Sequence, residues 1–230
     1  MSAEDDRKAT QLVLDALQRS EIGKINFQIG GVGVTPRLYQ QVTQAIAKKT
    51  ITVMVAPTLL TEKEGAKYIP ELKLQNGNVF YDLIVLRSPD LGRGNGDKVE
   101  TEAMFVHECT HAGFNLIKAK DMTHALEEAA AYTAEALFEI ARLITLGGKP
   151  EKVIRTRPIN IAAWALALLI WESNANPDNK YFLSPDFAVK YFNETSILLS
   201  SISDNDEYRN VAKLPAEHLG VGRTWIIPPN

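Results

Sequence analysis

The sequence predicts an α+β fold, in which helices and a small sheet come first and further helices follow. The run Ile51–Val55 is rich in β-branched residues and predicts a strand. The dipeptide Asn76-Gly77 separates two apolar runs and predicts a β-hairpin. From Asp97 onward the chain is predicted to be helical. We therefore expect a small mixed or antiparallel sheet, a helix packed on that sheet, and a helical C-terminal half.

The N-terminal part of the chain is expected to contain both helices and strands. Acidic residues at positions 4–6 suit the start of a first helix, and Thr35-Pro36 suits the start of a second. Gly30-Gly31 indicates a turn, and Pro70 places its strand near an edge or a bulge. The expected helices span residues 4–20 and 35–49, and the expected strands span residues 25–29, 51–55, 68–74 and 78–86.

The remainder of the chain is expected to be helical. Asp97-x-x-Glu100 predicts a capping box at the start of the first of these helices. The later helices are expected at residues 123–146, 159–173 and 185–201, followed by an irregular tail at 214–230. We expect one domain over residues 1–230, made of an N-terminal α/β part at 1–96, a helix pair at 97–146, and a helical C-terminal part at 147–230.

The bulk composition limits the classes of protein to which the chain can belong. Its 230 residues and 45% hydrophobic content suit a soluble globular protein with a sizeable core. A net charge of −3 gives no reason to expect a nucleic-acid partner, and a single cysteine excludes an internal disulfide. The longest apolar stretch, Ile159–Trp171, is too short to span a bilayer, and the charged N-terminus lacks the apolar core of a signal peptide. We therefore expect a cytoplasmic protein without a membrane partner, and secretion by a leaderless route stays open as the alternative.

The most informative stretch is His107-Glu108-Cys109-Thr110-His111, which follows the HExxH pattern. Residues four apart share one face of a helix, so His107 and His111 can present two imidazoles to one metal ion. Glu108 lies about 100° further round the helix, beside the open coordination position of that metal. This arrangement is typical of a zinc-bound water with a carboxylate base next to it, and it predicts Zn²⁺ as the cofactor.

A helical wheel separates the two histidines from most apolar residues of the same helix. Met104 and Phe114 lie beside the histidines. Four residues gather on the opposite side: Phe105, Cys109, Ala112 and Leu116. Cys109 therefore points away from the imidazoles, and we interpret it as a small buried hydrophobic residue. The alternative interpretation of the motif is two ordinary histidines on an amphipathic helix.

A catalytic zinc ion usually takes three protein ligands and a water molecule, so a third ligand is needed. The extended pattern HExxHxxGxxH is not present, because Ile117 stands where its third histidine would be. The helix predicted at 123–146 follows a short connection and must pack beside the first helix. Two carboxylates near its start, Glu127 and Glu128, are the candidate ligands. His124 is a further alternative, as a ligand, as a group that supports one, or as a structural residue.

HExxH followed by a helix with Glu-x-x-Ala-Tyr resembles the gluzincin branch of the zincin metallopeptidases, over roughly residues 78–140. The resemblance implies a zincin-like fold and a glutamate on the second helix as the third zinc ligand. Glu128, at the head of Glu128-Ala-Ala-Ala131-Tyr132, aligns with that ligand, and Glu127 stays open as the alternative. Many gluzincins carry Asp four residues after the ligand, whereas this chain carries Tyr132.

The resemblance also implies hydrolysis of a peptide bond in a peptide or protein substrate. In this interpretation zinc activates a water molecule and Glu108 acts as the general base. The strand Val79–Leu86 precedes the active helix and is a candidate edge for extended substrate, and an ordinary core strand is an equally good interpretation of its sequence. Candidates for stabilising the oxyanion are Tyr132, Arg155, Arg157 and His218.

Two other hypotheses remain open at the level of sequence. The first is a zincin-like regulatory or binding domain without peptidase activity. The second is a helical interaction protein in which HExxH arose by chance. The histidine face, the following glutamate helix and the preceding strand all favour the peptidase over this last hypothesis.

Overall fold

The structure, a computed structural model, describes residues 2–74, 76–92, 98–119, 122–176, 178–179, 184–206 and 208, together with the backbone of Trp225–Ile227. The fold is α+β, as the sequence predicts. Its α-helices are α1 (Ala3–Leu17), α2 (Pro36–Ala47), α3 (Lys98–Ile117), α4 (His124–Thr145), α5 (Pro158–Ala175) and α6 (Pro185–Ser203). Its strands are β1 (Phe27–Ile29), β2 (Val32–Val34), β3 (Thr52–Val55), β4 (Ala66–Leu74), β5 (Val79–Leu86) and β6 (Trp225–Ile227).

The chain divides into two compact units. The first unit comprises Met1–Arg19, Arg37–Asp121 and Ala216–Asn230, and the second comprises Ser20–Pro36 and Met122–Pro215. The motif helix α3 and the larger sheet belong to the first unit, and the helices α4, α5 and α6 belong to the second.

The sheet of the first unit is mixed, in the order β3-β5-β4-β6. β5 runs parallel to β3 and antiparallel to β4, while β6 runs parallel to β4. The hairpin predicted at Asn76-Gly77 joins β4 to β5, and Gly77 there has a φ of 86°, which glycine adopts without steric cost. One face of the sheet carries a buried apolar cluster: Ala56, Ile69, Leu72, Leu83 and Val85.

One element of the first unit departs from the sequence prediction. Trp225–Ile227 lies in the tail predicted to be irregular, yet it pairs with Leu72–Leu74 as a short edge strand. Three residues give too short a pattern for sequence alone to identify. The capping box predicted from Asp97 lies outside the described residues.

α3 packs against α1 and against strands β4 and β5. It is buried on nearly all sides between Glu102 and Phe114. Gly113 permits part of this packing, because a Cβ atom built there would meet Leu38 Cγ at 2.5 Å. The buried Glu102 carboxylate accepts a hydrogen bond from the Arg19 guanidinium at 2.6 Å, which meets the requirement that a buried charge be paired.

The second unit begins with the antiparallel hairpin β1–β2. Gly30 and Gly31 turn the chain there with φ values of 56° and 83°, as the sequence predicts. In the same unit α4 packs against α5 and α6, and Leu126 of α4 lies over Gly30. The side chain of Thr123 caps α4 by accepting a hydrogen bond from the Leu126 N–H. None of the helices that the structure describes is both long and apolar enough to cross a membrane.

Candidate metal centre

His107 and His111 lie together on α3. Their Nε2 atoms are 3.2 Å apart, and their ring centroids are separated by 5.0 Å in an edge-on arrangement. Both side chains are buried, each with 8% of its surface exposed. The four-residue spacing therefore places two imidazole nitrogens at one point, as the HExxH pattern predicts.

The separation of these two nitrogens fits a zinc ion. Zinc binds imidazole nitrogen at about 2.0–2.1 Å with tetrahedral geometry, so two such ligands lie about 3.3 Å apart. The observed 3.2 Å is close to that distance. A hydrogen bond between two neutral imidazoles has a similar length, so the pair is also held together without metal.

Glu108 is anchored to strand β4. Its Oε2 atom accepts a hydrogen bond of 2.6 Å from the backbone N–H of Tyr68. A carboxylate that accepts a short hydrogen bond on one oxygen has a restricted orientation. The orientation of the Glu108 carboxylate relative to β4 is therefore defined.

The outer edge of β4 carries the donor to Glu108. The Gly65 carbonyl accepts a hydrogen bond from the Arg87 N–H. Because alternate residues of an antiparallel strand direct their backbone N–H and C=O groups to the same neighbour, those of Lys67 and Ile69 point toward β5. Tyr68 therefore presents its N–H to the opposite edge. β6 pairs with β4 only at Leu72–Leu74, so no described strand covers the outer edge at Ala66–Ile69.

The prediction that Val79–Leu86 offers an edge to substrate is wrong for its second half. At Leu83–Leu86, β5 pairs with β3 on one side and with β4 on the other, so both edges are occupied. The order of strands is a tertiary property that the sequence pattern of one strand does not report. β4, and not β5, presents an uncovered edge beside α3. Pro70, predicted at an edge or a bulge, lies on this edge strand.

Cys109 and Thr110 lie in the fully buried part of α3. Burial raises the pKa of the Cys109 thiol, and the neighbouring Glu108 carboxylate adds to the effect. Thr110 donates a hydrogen bond to the Val106 carbonyl, and its hydroxyl contacts the Tyr39 hydroxyl at 2.9 Å. The interpretation of Cys109 as a buried hydrophobic residue agrees with this environment.

The carboxylates predicted on the following helix are both buried. Glu127 and Glu128 lie in the first two turns of α4, with 3% and 6% of their surfaces exposed. Glu128 Oε1 lies 3.6 Å from His124 Nε2, one turn earlier on the same helix. Because an ionised carboxylate is costly to bury, such a position requires a cation, a proton or several hydrogen-bond donors nearby.

Three of the four oxyanion candidates lie in the second unit, and their surroundings differ. The Tyr132 hydroxyl lies 3.1 Å from the Tyr208 hydroxyl. Arg155 forms an ion pair with Glu139, and its guanidinium lies 4.3 Å from the centre of the Trp164 ring. Arg157 is exposed at the N-cap of α5, and His218 lies outside the described residues. The three described candidates remain predictions.

Sequence reasoning did not identify Tyr68 as a residue of the candidate site. It lies 40 positions before Glu108, and it takes part through its backbone N–H, which every residue except proline carries. The only available signal was Pro70, which indicated that the same strand is near an edge.

Comparison of the chain with protein-family models, with curated proteins and with solved structures gives no match. The likeness to gluzincins therefore rests on the residues of the motif and on their geometry.

Proposed function

We propose that the protein is a zinc-dependent peptidase with a zincin-like site on α3. The observation that carries the proposal is the pair of buried imidazole nitrogens 3.2 Å apart, next to a carboxylate with a fixed orientation. Two histidines with a zinc-like separation provide a place for the metal. A carboxylate one residue away provides the base that the hydrolysis of a peptide bond needs.

We propose Glu128 as the third ligand. The alignment of Glu128 with the ligand of the gluzincin motif supports Glu128 over Glu127, and its burial suits a metal ligand. Two neutral imidazoles and one carboxylate form one of the common ligand sets of catalytic zinc. The ion would also provide the compensating positive charge that a buried Glu128 carboxylate requires.

In this proposal Glu108 moves the proton. Zinc bound there would supply a Lewis acid and lower the pKa of a water molecule to near neutrality. Glu108 accepts a proton from the attacking water and then donates it to the amine that leaves. The Tyr68 N–H holds Glu108 Oε2, which restricts the orientation of the carboxylate that makes this transfer.

The proposed substrate is an extended peptide or protein segment. The outer edge of β4 at Ala66–Ile69 pairs with no described strand, and such a segment can add there through the edge groups other than the Tyr68 N–H, which Glu108 occupies. Backbone hydrogen bonds at a strand edge do not depend on side chains, so this contact confers affinity for extended chains in general. Preference for particular side chains requires pockets elsewhere.

The test is the substitution Glu108→Gln, assayed with a library of quenched fluorescent peptides. We expect the variant to keep its zinc and to lose turnover, because glutamine has nearly the same shape but cannot accept the proton. The matched control is Glu100→Gln, at an exposed glutamate of the same helix, which should retain full activity. Undiminished turnover in Glu108→Gln would exclude the mechanism.

The alternative function is a regulatory or binding domain that retains the metal but does not cleave peptides. One observation favours it: both histidines are buried, and structural zinc sites are closed whereas catalytic sites keep an open position. This alternative predicts full zinc occupancy with no cleavage of any peptide in the library. Glu108→Gln would then change neither zinc content nor binding of a partner.

A further inference from the structure

We propose that Asp82 is a positioning residue for Glu108 and that it acts through Tyr68. This inference rests on the proposed function of Glu108 as a general base. It concerns a group of four residues that the HExxH pattern does not include: Tyr68 on β4, Asp82 on β5, and Asn115 and Glu108 on α3.

The first observation is the backbone of Asp82. Its φ of 53° lies in the left-handed region, inside a strand whose other residues are extended. The ladder pairs Ile69 with Leu83 and Glu71 with Tyr81, so Pro70 and Asp82 stand opposite each other without pairing. Residues other than glycine rarely adopt this conformation, and those that do are concentrated at functional positions.

The second observation is what the Asp82 side chain binds. Its Oδ1 atom accepts a hydrogen bond of 2.6 Å from the Tyr68 hydroxyl and another from the Asn115 side-chain amide. The unusual backbone conformation therefore accompanies a carboxylate oxygen that joins β4 to α3. Charge-assisted hydrogen bonds of this kind are stronger than neutral ones.

The third observation closes the network on the candidate base. Tyr68 is held at both ends, by its hydroxyl to Asp82 and by its backbone N–H to Glu108. Asn115 follows Glu108 by seven residues, so the two lie on nearly the same face of α3, two turns apart. β4 is thus attached to this face of α3 at two points. One is the hydrogen bond from the Tyr68 N–H to Glu108, and the other, farther from the histidines, runs from the Tyr68 hydroxyl through Asp82 to Asn115.

The consequence is that Asp82 determines how firmly the Tyr68 N–H is held against Glu108. Without the carboxylate, the Tyr68 ring loses its anchor, and the N–H that orients Glu108 becomes free to move. Small displacements of a catalytic group lower turnover even when the metal remains bound. Zinc affinity should not change, because neither Asp82 nor Tyr68 is a proposed ligand.

The test uses variants that separate the side chain of Asp82 from its backbone. Asp82→Gly removes the carboxylate while glycine accepts a positive φ, and Asp82→Asn keeps an acceptor oxygen on a residue that tolerates this conformation. Tyr68→Phe removes only the hydroxyl. The matched control is Tyr39→Phe, which removes a buried tyrosine hydroxyl that contacts Thr110 on the same helix but lies outside the network.

Three readouts are measured on each zinc-loaded full-length variant: zinc content, hydrogen exchange of the Tyr68 amide, and kcat and KM on the best peptide from the library. For Asp82→Gly and Tyr68→Phe we expect unchanged zinc, unchanged KM, roughly tenfold faster exchange of the Tyr68 amide on β4 relative to the amides of α3, and roughly tenfold lower kcat. Asp82→Asn should restore both exchange and kcat in large part. Tyr39→Phe should leave both near the wild-type values.

Wild-type exchange at Tyr68 and wild-type kcat in Asp82→Gly would overturn the proposal. So would a loss of kcat in Tyr39→Phe as large as that in Tyr68→Phe, because the effect would then be general destabilisation. The peptidase function itself is tested separately, by the turnover of Glu108→Gln. If that substitution changes no turnover, the exchange measurement still decides whether Asp82 holds the donor to Glu108.

Discussion

Glu127 and Glu128 are adjacent on α4, and both are buried, yet our proposal makes only Glu128 a zinc ligand. Successive residues on a helix point about 100° apart, so two neighbouring carboxylates face different surroundings. The direction of each side chain therefore decides which of the two carboxylates can be the third ligand.

We predict that Glu128→Gln weakens zinc binding by at least about 100-fold, because it removes a charged ligand from the metal, whereas altering a group that only supports a ligand costs 10–100-fold. Glu127→Gln, the matched control one position away, should change the affinity by much less. Competition for zinc with a chromophoric chelator measures both dissociation constants. The opposite order of effects would transfer the assignment to Glu127.

Cys109 provides a second prediction at this scale. Burial raises the pKa of its thiol, so the reactive thiolate is scarce even at mildly alkaline pH. We expect the folded protein to resist alkylation by iodoacetamide and the protein in guanidinium to be modified completely. Rapid alkylation of the folded protein would place Cys109 at an accessible position and would contradict its burial.

Residues within one helix were the part of the site most accessible from sequence. His107, Glu108 and His111 are related by helical geometry alone, so their spacing fixed their relation before any tertiary structure was known. The Tyr68–Glu108 and Tyr68–Asp82 hydrogen bonds join residues 40 and 14 positions apart, on different elements. No local pattern encodes such contacts, because they depend on how the strands and α3 pack.

At the scale of elements, α3 is held in place by close packing as well as by hydrogen bonds. Gly113 lies where α2 approaches α3, and a Cβ atom there would meet the Leu38 side chain at 2.5–2.9 Å. The sequence pattern alone assigns no role to Gly113. Its role is steric, and it became visible only with the neighbouring helix in place.

We predict that Gly113→Ala destabilises the protein by about 1–2 kcal/mol, since overpacking costs about 1–3 kcal/mol and alanine recovers up to about 1 kcal/mol of helix propensity. Gly23→Ala is the control, because a Cβ atom there would meet no heavy atom within 4 Å. Urea unfolding measures both changes in the free energy of unfolding. Equal stability of the two variants would show that Leu38 moves aside without cost.

The existence and type of most elements followed from sequence, whereas their order in the sheet did not. The helices α2, α4, α5 and α6 begin and end within two residues of their predicted bounds. β5 is an inner strand between β3 and β4, and the edge without a described partner strand is that of β4 at Ala66–Ile69. Periodicity reports which face of a strand is buried, and it carries no information about the neighbour on either edge.

At the scale of the whole molecule, the proposal links the metal to stability. A ligand that binds only the folded protein stabilises it by about 4 kcal/mol at a free concentration 1,000 times its dissociation constant. We therefore predict that a strong chelator lowers the midpoint of thermal unfolding and that added zinc restores it. Magnesium, which prefers oxygen ligands in octahedral geometry, is the control and should not restore it. A melting temperature indifferent to chelator and zinc would argue against a metal bound to the folded state.

The most direct measurement of the central claim is the zinc content of the purified protein, determined by elemental analysis after zinc is added and the excess removed. The account predicts close to one equivalent in the wild-type protein, the content of a single zinc site. It predicts almost none in a variant carrying both His107→Ala and His111→Ala. Less than about a tenth of an equivalent in the wild-type protein, not restored by added zinc, would contradict a zinc site of this kind.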